Sequence, residues 1–265
     1  MGNEVFLGVD IGSSSSKVAI IDRDRKILYQ EAINIGTGSN VIKDLRAKAL
    51  EAVGATEEDV LYTVVTGYGR TTYQNADTQI TEISCHARGA HFLFPSVRTV
   101  IDIGGQDSKV IRIGKSGDAE DFVMNDKCAA GTGRFLEVMA RVLGCRLGEL
   151  SDIAEGAKES VRISSTCTVF AESEVISQLS IGSPRENVAM GVHASIAKRV
   201  SGQALRVGIF PEVVMTGGVA LNRHMVKTLS GEIGHPIYVP ESPQTVGALG
   251  AALYAADKFE KGKGK

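Results

Sequence analysis

Two acids occupy the same place in two copies of one motif. Asp10 lies in Val9-Asp10-Ile11-Gly12-Ser13-Ser14-Ser15-Ser16-Lys17-Val18, and Asp102 lies 92 positions later in Ile101-Asp102-Ile103-Gly104-Gly105-Gln106-Asp107-Ser108-Lys109-Val110. Each copy runs Asp-Ile-Gly, three variable residues, then Ser-Lys-Val. Each reads as an apolar strand ending in an acid, a tight turn of small residues, and a second strand. Such a turn leaves backbone N–H groups uncovered and adds hydroxyl donors, which together make a concave nest for an anion such as phosphate. Gly12, Ser13, Ser14, Ser15, Ser16 and Lys17 in the first copy, and Gly104 and Gly105 in the second, are therefore candidate phosphate ligands. A carboxylate cannot face phosphate bare, so Asp10 and Asp102 imply an intervening Mg²⁺, which favours carboxylate and phosphate oxygens together. Gln106 can orient an attacking water but cannot remove its proton, so hydrolysis at this site is expected to be slow. Asp107 next to it is a candidate to restore the base.

Sulfur is the second chemistry. Cys85, Cys128, Cys145 and Cys167 contain no Cys-x-x-Cys pair, and a reducing cytosol disfavours disulfides. Cys128 precedes Ala129-Ala130-Gly131-Thr132-Gly133 and is placed at the start of a helix running from about Ala129 to Leu143, where the helix dipole favours thiolate. Cys167 lies among Ser164, Ser165, Thr166 and Thr168, whose hydroxyls can donate to sulfur. On residue type alone, both also fit buried, inert thiols. Cys85 and Cys145 are assigned structural roles. The five histidines form no metal-ligand spacing.

The elements that must position these residues follow from hydrophobic period. The first hairpin is followed by a charged turn, Asp22 to Lys26, and an alternating strand Ile27–Ile33. Ile42, Leu45, Ala49 and Ala52 then give a helical stripe closed by Gly54. Val60 to Thr66 is a strand ending at Gly67, and a helix is expected at Thr81 to Phe92. The resulting order is β-β-β-α-β-α. A boundary falls at Pro95-Ser96, giving a first domain of 1–95 completed by a C-terminal helix at about 246–260, and a second of 96–245. The second repeats the order with insertions. Ser183-Pro184-Arg185-Glu186 reads as a capping box with Pro at the first helical position, and Val188, Val192, Ile196 and Val200 stripe the long helix behind it. Val213 to Thr216 is a strand ending in Gly217-Gly218-Val219, a turn suited to adenosine or its α-phosphate. Gln244 is a candidate adenine or ribose contact. The helix from Val246, rich in Gly and Ala, is expected to pack across the domain junction.

Net charge is −2 with both signs scattered, which gives no nucleic-acid or membrane footprint. The longest apolar runs fall short of the ~20 residues of a membrane helix. Met1-Gly2-Asn3-Glu4 leads into the first strand without a basic leader, so a cytoplasmic location is expected.

Val-Asp-Ile-Gly, Ile-Asp-Ile-Gly-Gly-Gln-Asp and Val214-Met215-Thr216-Gly217-Gly218-Val219-Ala220 resemble the two phosphate motifs and the adenosine motif of the acetate kinase, sugar kinase, chaperone and actin superfamily. Within it the chain is similar to the activator ATPases of 2-hydroxyacyl-CoA dehydratases and benzoyl-CoA reductases. That narrower resemblance is carried by Thr66-Gly67-Tyr68-Gly69-Arg70, by the run Met124 to Phe135 with Gly131-Thr132-Gly133 at its centre, and by the run Ile163 to Glu172; it implies that Gly131, Thr132 and Gly133 are cofactor-binding residues. It implies α/β architecture: duplicated ribonuclease H-like (actin-like ATPase) domains with a nucleotide cleft between them. It also implies ATP or ADP with Mg²⁺ as ligands. Cys128 and Cys167 from each of two subunits would hold one 4Fe-4S cluster in a homodimer. The partners implied are a ferredoxin or flavodoxin as electron donor and a dehydratase as acceptor. The rival readings are an activator of a benzoyl-CoA or double-cubane cluster reductase, a small-molecule kinase of the same fold, and a non-enzymatic nucleotide switch.

Overall fold

The computed structural model describes residues 4–36, 39–164 and 167–263. It divides into two compact units, the described parts of Met1–Val97, Ile113–Glu120 and Pro240–Lys265 in one, and Arg98–Arg112 and Asp121–Val239 in the other.

In the first unit, the run Val5-Phe6-Leu7-Gly8-Val9 is apolar throughout, as a central strand covered on both faces must be. It becomes β1 (Val5–Ile11), every residue of which is buried. β1 pairs antiparallel with β2 (Ser16–Asp22) and parallel with β4 (Val60–Thr66). β3 (Ile27–Ile33) and the two-residue β5 (Thr78–Gln79) complete the order β3-β2-β1-β4-β5. Side-chain alternation splits the core. Val5, Leu7, Val9 and Ile11 meet Ile42, Leu45 and Ala49 of α1 (Ser39–Ala52). Phe6 instead joins Cys85 of α2 (Glu82–Leu93) and Leu249 and Leu253 of α8 (Val246–Lys263). Leu50, rather than the exposed Ala52, completes the buried stripe of α1.

α8 belongs to this first unit and comes unusually close to its neighbours. A Cβ on Gly8 would lie 2.0 Å from the Ala248 carbonyl oxygen, and one on Gly250 would lie 1.8 Å from that of Cys85. Only glycine fits at such distances.

The second unit repeats the sheet. β6 (Thr99–Ile103), β7 (Ser108–Ile113), β8 (Ala119–Asn125), β9 (Val213–Thr216) and β10 (Ile237–Tyr238) stand in the order β10-β9-β6-β7-β8. β6 is antiparallel to β7 and parallel to β9, as β1 is to β2 and β4. Two copies of this topology make the duplicated ribonuclease H-like fold. Between β8 and the long α6 (Arg185–Val207) the second copy carries α3 (Gly133–Val142), α4 (Leu150–Glu155) and α5 (Thr168–Ser180); α7 (Arg223–Ile233) follows β9. Val188, Val192, Ile196 and Val200 of α6 are buried in the core of this unit.

Two sequence expectations are corrected here. The helix placed from Ala129 begins at Gly133, capped by an extended Thr132, because Gly131 takes a left-handed φ of 87° that helical geometry excludes. The capping box at Ser183 does not form. Pro184 is itself the N-cap of α6, with extended backbone at ψ 135°, and the Ser183 hydroxyl donates to Gln178 Oε1 at 2.7 Å.

Candidate functional site

The first hairpin sets Asp10 opposite Lys17 in register, with Lys17 Nζ 3.2 Å from Asp10 Oδ2. The turn closes with Gly12 N donating to Ser15 O at 2.9 Å. Gly12, Ser13 and Ser15 are half-buried in the turn and Ser14 is exposed. Ser16 leaves the turn: it opens β2, is fully buried, and directs its hydroxyl to the Gly36 carbonyl at 3.5 Å.

The second hairpin reproduces this geometry more tightly. Asp102 faces Lys109 in register, Lys109 Nζ is 3.0 Å from Asp102 Oδ2, and Gly104 N donates to Asp107 O at 3.0 Å. Lys109 also pairs with Asp107 at 2.7 Å, so the carboxylate expected to restore the base is held by an ammonium. Gln106 is exposed at the tip.

The repeat continues into the parallel neighbour of each central strand, which the sequence reading did not register. Thr66 of β4 stands beside Asp10, and Thr216 of β9 stands beside Asp102. Gly67 and Gly217 follow with φ of 89° and 86°. A Cβ on Gly67 would lie 2.4 Å from Asp10 Oδ1, and one on Gly217 would lie 2.3 Å from the Ile103 carbonyl oxygen. Each Thr-Gly pair thus presses a side-chain-free backbone against the acid of its own hairpin. In the second unit Thr216 Oγ1 also donates to Asp102 Oδ1 at 2.8 Å. A Cβ on Gly247 would meet His86 Nε2 at 2.9 Å and Asp10 Oδ2 at 3.2 Å, so the buried His86 belongs to the acid's surroundings.

The second unit gathers three predicted motifs. Gly133 N donates to Gly104 O at 2.9 Å and Arg134 N to Gly105 O at 2.8 Å, so the first amides of α3 support the hairpin. A Cβ on Gly133 would stand 3.5 Å from Val219 Cγ2. Thr132 is buried and donates its hydroxyl to Ala129 O at 2.6 Å. Gly217, Gly218 and Val219 form a turn between β9 and Asn222, the N-cap of α7. Gln244 lies in the first unit, half-buried in the turn before α8.

Asn222 is held by His193. The His193 Nδ1 bonds the Ala189 carbonyl at 2.8 Å and so carries the proton, which leaves Nε2 to accept from Asn222 Nδ2 at 3.0 Å. Asn222 Oδ1 in turn accepts from Met225 N at 2.9 Å. Burial, helped by His224 at 4.9 Å between ring centroids, lowers the His193 pKa to about 4.

All four cysteines are free. Cys128 is half-buried in the loop before α3, where Asn125 Nδ2 donates to its carbonyl at 2.7 Å and to that of Ala130 at 3.2 Å. Cys128 is therefore not at a helix start. Cys167 is: it is the exposed N-cap of α5. Of the hydroxyls expected around it, Ser165 and Thr166 lie outside the described residues, and Ser164 is engaged by Glu174 on α5 at 2.7 Å. Burial pushes the Cys85 thiol up to about 12, consistent with an inert core role. Among the described residues no group of three or more His, Cys, Asp or Glu is gathered to hold a metal ion, and no helix is long and apolar enough to cross a membrane.

Comparison with known proteins places this geometry. The profile of the BadF/BadG/BcrA/BcrD ATPase family matches residues 7–255. The activator of lactoyl-CoA dehydratase from Anaerotignum propionicum is 54% identical over 255 residues, covering 96% of this chain and 98% of that protein. The (R)-2-hydroxyglutaryl-CoA dehydratase activating ATPase of Acidaminococcus fermentans is 48% identical, covering 96% and 98%. The structure of the activator of the 2-hydroxyisocaproyl-CoA dehydratase from Clostridium difficile with bound ADPNP superposes with a TM-score of 0.93 at 48% identity, over 98% of this chain and 97% of that one. By profile, by identity along nearly its whole length and by fold, the chain belongs to the BadF/BadG/BcrA/BcrD ATPase family.

Proposed function

We propose that the protein is the ATP-hydrolysing activator of a 2-hydroxyacyl-CoA dehydratase, delivering single electrons at low potential. The observation that carries this reading is that its two chemistries sit on separate parts of the chain: duplicated Asp–Lys hairpins for nucleotide, and Cys128 and Cys167 on the stretch between β8 and α6 for a metal cluster. The relatives' names supply the acceptor class.

The turns at 12–15 and 104–107 and the Gly217–Val219 turn bind ATP, with Asp10 and Asp102 as the carboxylates toward Mg²⁺. Lys17 and Lys109 hold those carboxylates in place. Gln106 orients water without taking its proton, so turnover is slow.

The cysteine pair fits a shared cluster on its donor set. Besides Cys145, whose half-buried Sγ turns back to the Ala140 carbonyl at 3.5 Å, one chain offers the half-buried Cys128 and the exposed Cys167, and a 4Fe-4S cluster takes four thiols, so a homodimer completes the set. Such a cluster supplies one-electron transfer, from a ferredoxin or flavodoxin to the dehydratase. Cys167 holds the helix N-terminal position that the sequence assigned to Cys128. The adjacent face of α5 supports a second copy. Phe170 and Val169 are 66% and 67% exposed, and Ile176 and Ile181 are also exposed. Ser173, Ser177 and Ser180 fold their hydroxyls back onto carbonyls four residues earlier, so this face shows a partner few unmet polar groups.

The test is iron and acid-labile sulfide on protein purified without oxygen. About two irons per chain in a brown dimer is the expected result. An iron-free protein that still binds ATP and releases ADP only with a hydroxyl acceptor would turn the assignment to a small-molecule kinase. Reduction of benzoyl-CoA reductase rather than a dehydratase by the loaded protein would move the partner and keep the chemistry.

A further inference from the structure

Away from the nucleotide turns, the second unit contains a cavity of about 570 Å³, within the range of small-molecule sites. It lies among the middle of α6, the loop at Ala130-Gly131 and the segment 160–164. Arg162, Lys198 and Arg199 line it, and no carboxylate does. The hairpin residues Gly104 and Gln106 and the turn at Gly217 are not part of its wall.

Three features mark it as built for an anion. First, no ion pair among the described residues neutralises Arg162, Lys198 or Arg199, although the same unit pairs Lys109 twice. Second, Arg199 Nε is buried without a hydrogen-bond partner among the described residues, a cost that a bound acceptor would remove. Third, the wall is fitted to Arg199. A Cβ on Gly131 would stand 3.0 Å from Arg199 Cδ, so the left-handed glycine makes room for the guanidinium stem. The nearby carboxylate of Glu174 is engaged by Ser164, whose N and Oγ both donate to it at 2.7 Å. The remaining wall combines Ser160, Ser164 and Ser195 with apolar residues, Phe135 and Ile163 the bulkiest among them.

We propose that this cavity binds a small molecule with a phosphate-class oxyanion at one end and an apolar body at the other. The oxyanion sits against Lys198, Arg199 and Arg162, and the body against Phe135 and Ile163. The site does not rest on the nucleotide reading. Its occupant would join the loop that follows Cys128 to the segment that leads toward Cys167, stiffening both.

The experiment titrates phenyl phosphate into the full chain by calorimetry, with the ATP site saturated by a non-hydrolysable ATP analogue. Wild type, the Lys198→Gln/Arg199→Gln double variant and Ala194→Trp, which fills the cavity from α6, are compared, with the thermal midpoint of each confirming the fold. Saturable binding that the analogue leaves in place, weakened about tenfold or more in both variants, and slowed amide exchange at 130–131 and 160–164 are expected. Inorganic phosphate should bind more weakly than phenyl phosphate. No saturable binding, binding that the ATP analogue abolishes, or binding that both variants leave unchanged would each overturn the proposal.

Discussion

The two hairpins share a plan and differ in how firmly it is held. In the first, Lys17 keeps 14% of its side chain exposed and meets one carboxylate; in the second, Lys109 keeps 3% and meets two. Thr216 donates to Asp102, whereas no such bond from Thr66 to Asp10 is found among the described residues. The turn of the first is serine, that of the second Gly-Gly-Gln-Asp braced by the amides of Gly133 and Arg134. After its third strand, moreover, the first unit passes to α1, while the second first builds α3, α4 and α5 and places Cys128, Cys145 and Cys167 there. The duplication has kept the acid and its lysine in both copies, and three of the four cysteines lie in the stretch that only one copy carries.

That contrast can be broken experimentally, starting with the largest effect. If the two chemistries are separable, Cys128→Ala or Cys167→Ala removes essentially all iron while ATP-analogue binding persists, and Asp102→Asn abolishes ATP turnover while iron is kept. Iron retained in both cysteine variants would remove the ligand assignment. Next, Lys109→Met strands two carboxylates in a buried setting and should cost about 3–5 kcal/mol in urea unfolding. Lys17→Met leaves one carboxylate nearer solvent and should cost less than half as much. Equal losses would mean that the hairpins are mechanically equivalent.

A third difference is pH. His193 has a folded pKa of about 4 against 6.5 ordinarily, because burial and the neighbouring His224 disfavour its charged form. Its contribution is complete above pH 6.5 and is lost as pH falls toward 4, on the order of 3 kcal/mol in all. His224 and its partner Glu155 face the same site. Denaturant melts between pH 7.5 and 4 should show this acid limb in wild type and a flatter one in His193→Gln. Persistence of the full slope in the variant would assign it elsewhere. The smallest expected effect is at Ser183. With Pro184 as the cap, Ser183→Ala should change stability by no more than about 0.5 kcal/mol, where a working capping box would cost about 1.

Most of the scaffold could be read from the chain because local signals agree with it: the alternating run that becomes β3, the apolar run of β1, and one hairpin written twice at constant spacing. What could not be read depended on distant contacts. Nothing near Cys128 announces that Asn125 will hold the carbonyls of Cys128 and Ala130, or that Gly104 and Gly105 will take the amides of Gly133 and Arg134. These contacts delay the helix to Gly133, and a helix N-terminal position falls to Cys167 instead. The Thr-Gly pairs were hidden for a different reason. They lie 150 positions apart whereas the hairpins lie 92 apart, since the helices before α6 lengthen only one copy. His86 beside Asp10, and Arg199 beside Gly131, are tertiary facts with no sequence period to betray them.

The close seating of α8 on β1 and α2 has a consequence for the order in which the molecule is made. Phe6, Ala19, Ile21 and Val64 leave the ribosome early, but the side chains that cover them, Leu249 and Leu253 among others, are translated after every strand of the other unit. At ~5–20 residues per second, that sheet face waits many seconds for its cover, and closing so long a loop is slow. The first unit begun is therefore the last to be completed, and a nascent chain halted before Val246 should expose that face to protease while β6, β9 and α6 are already protected.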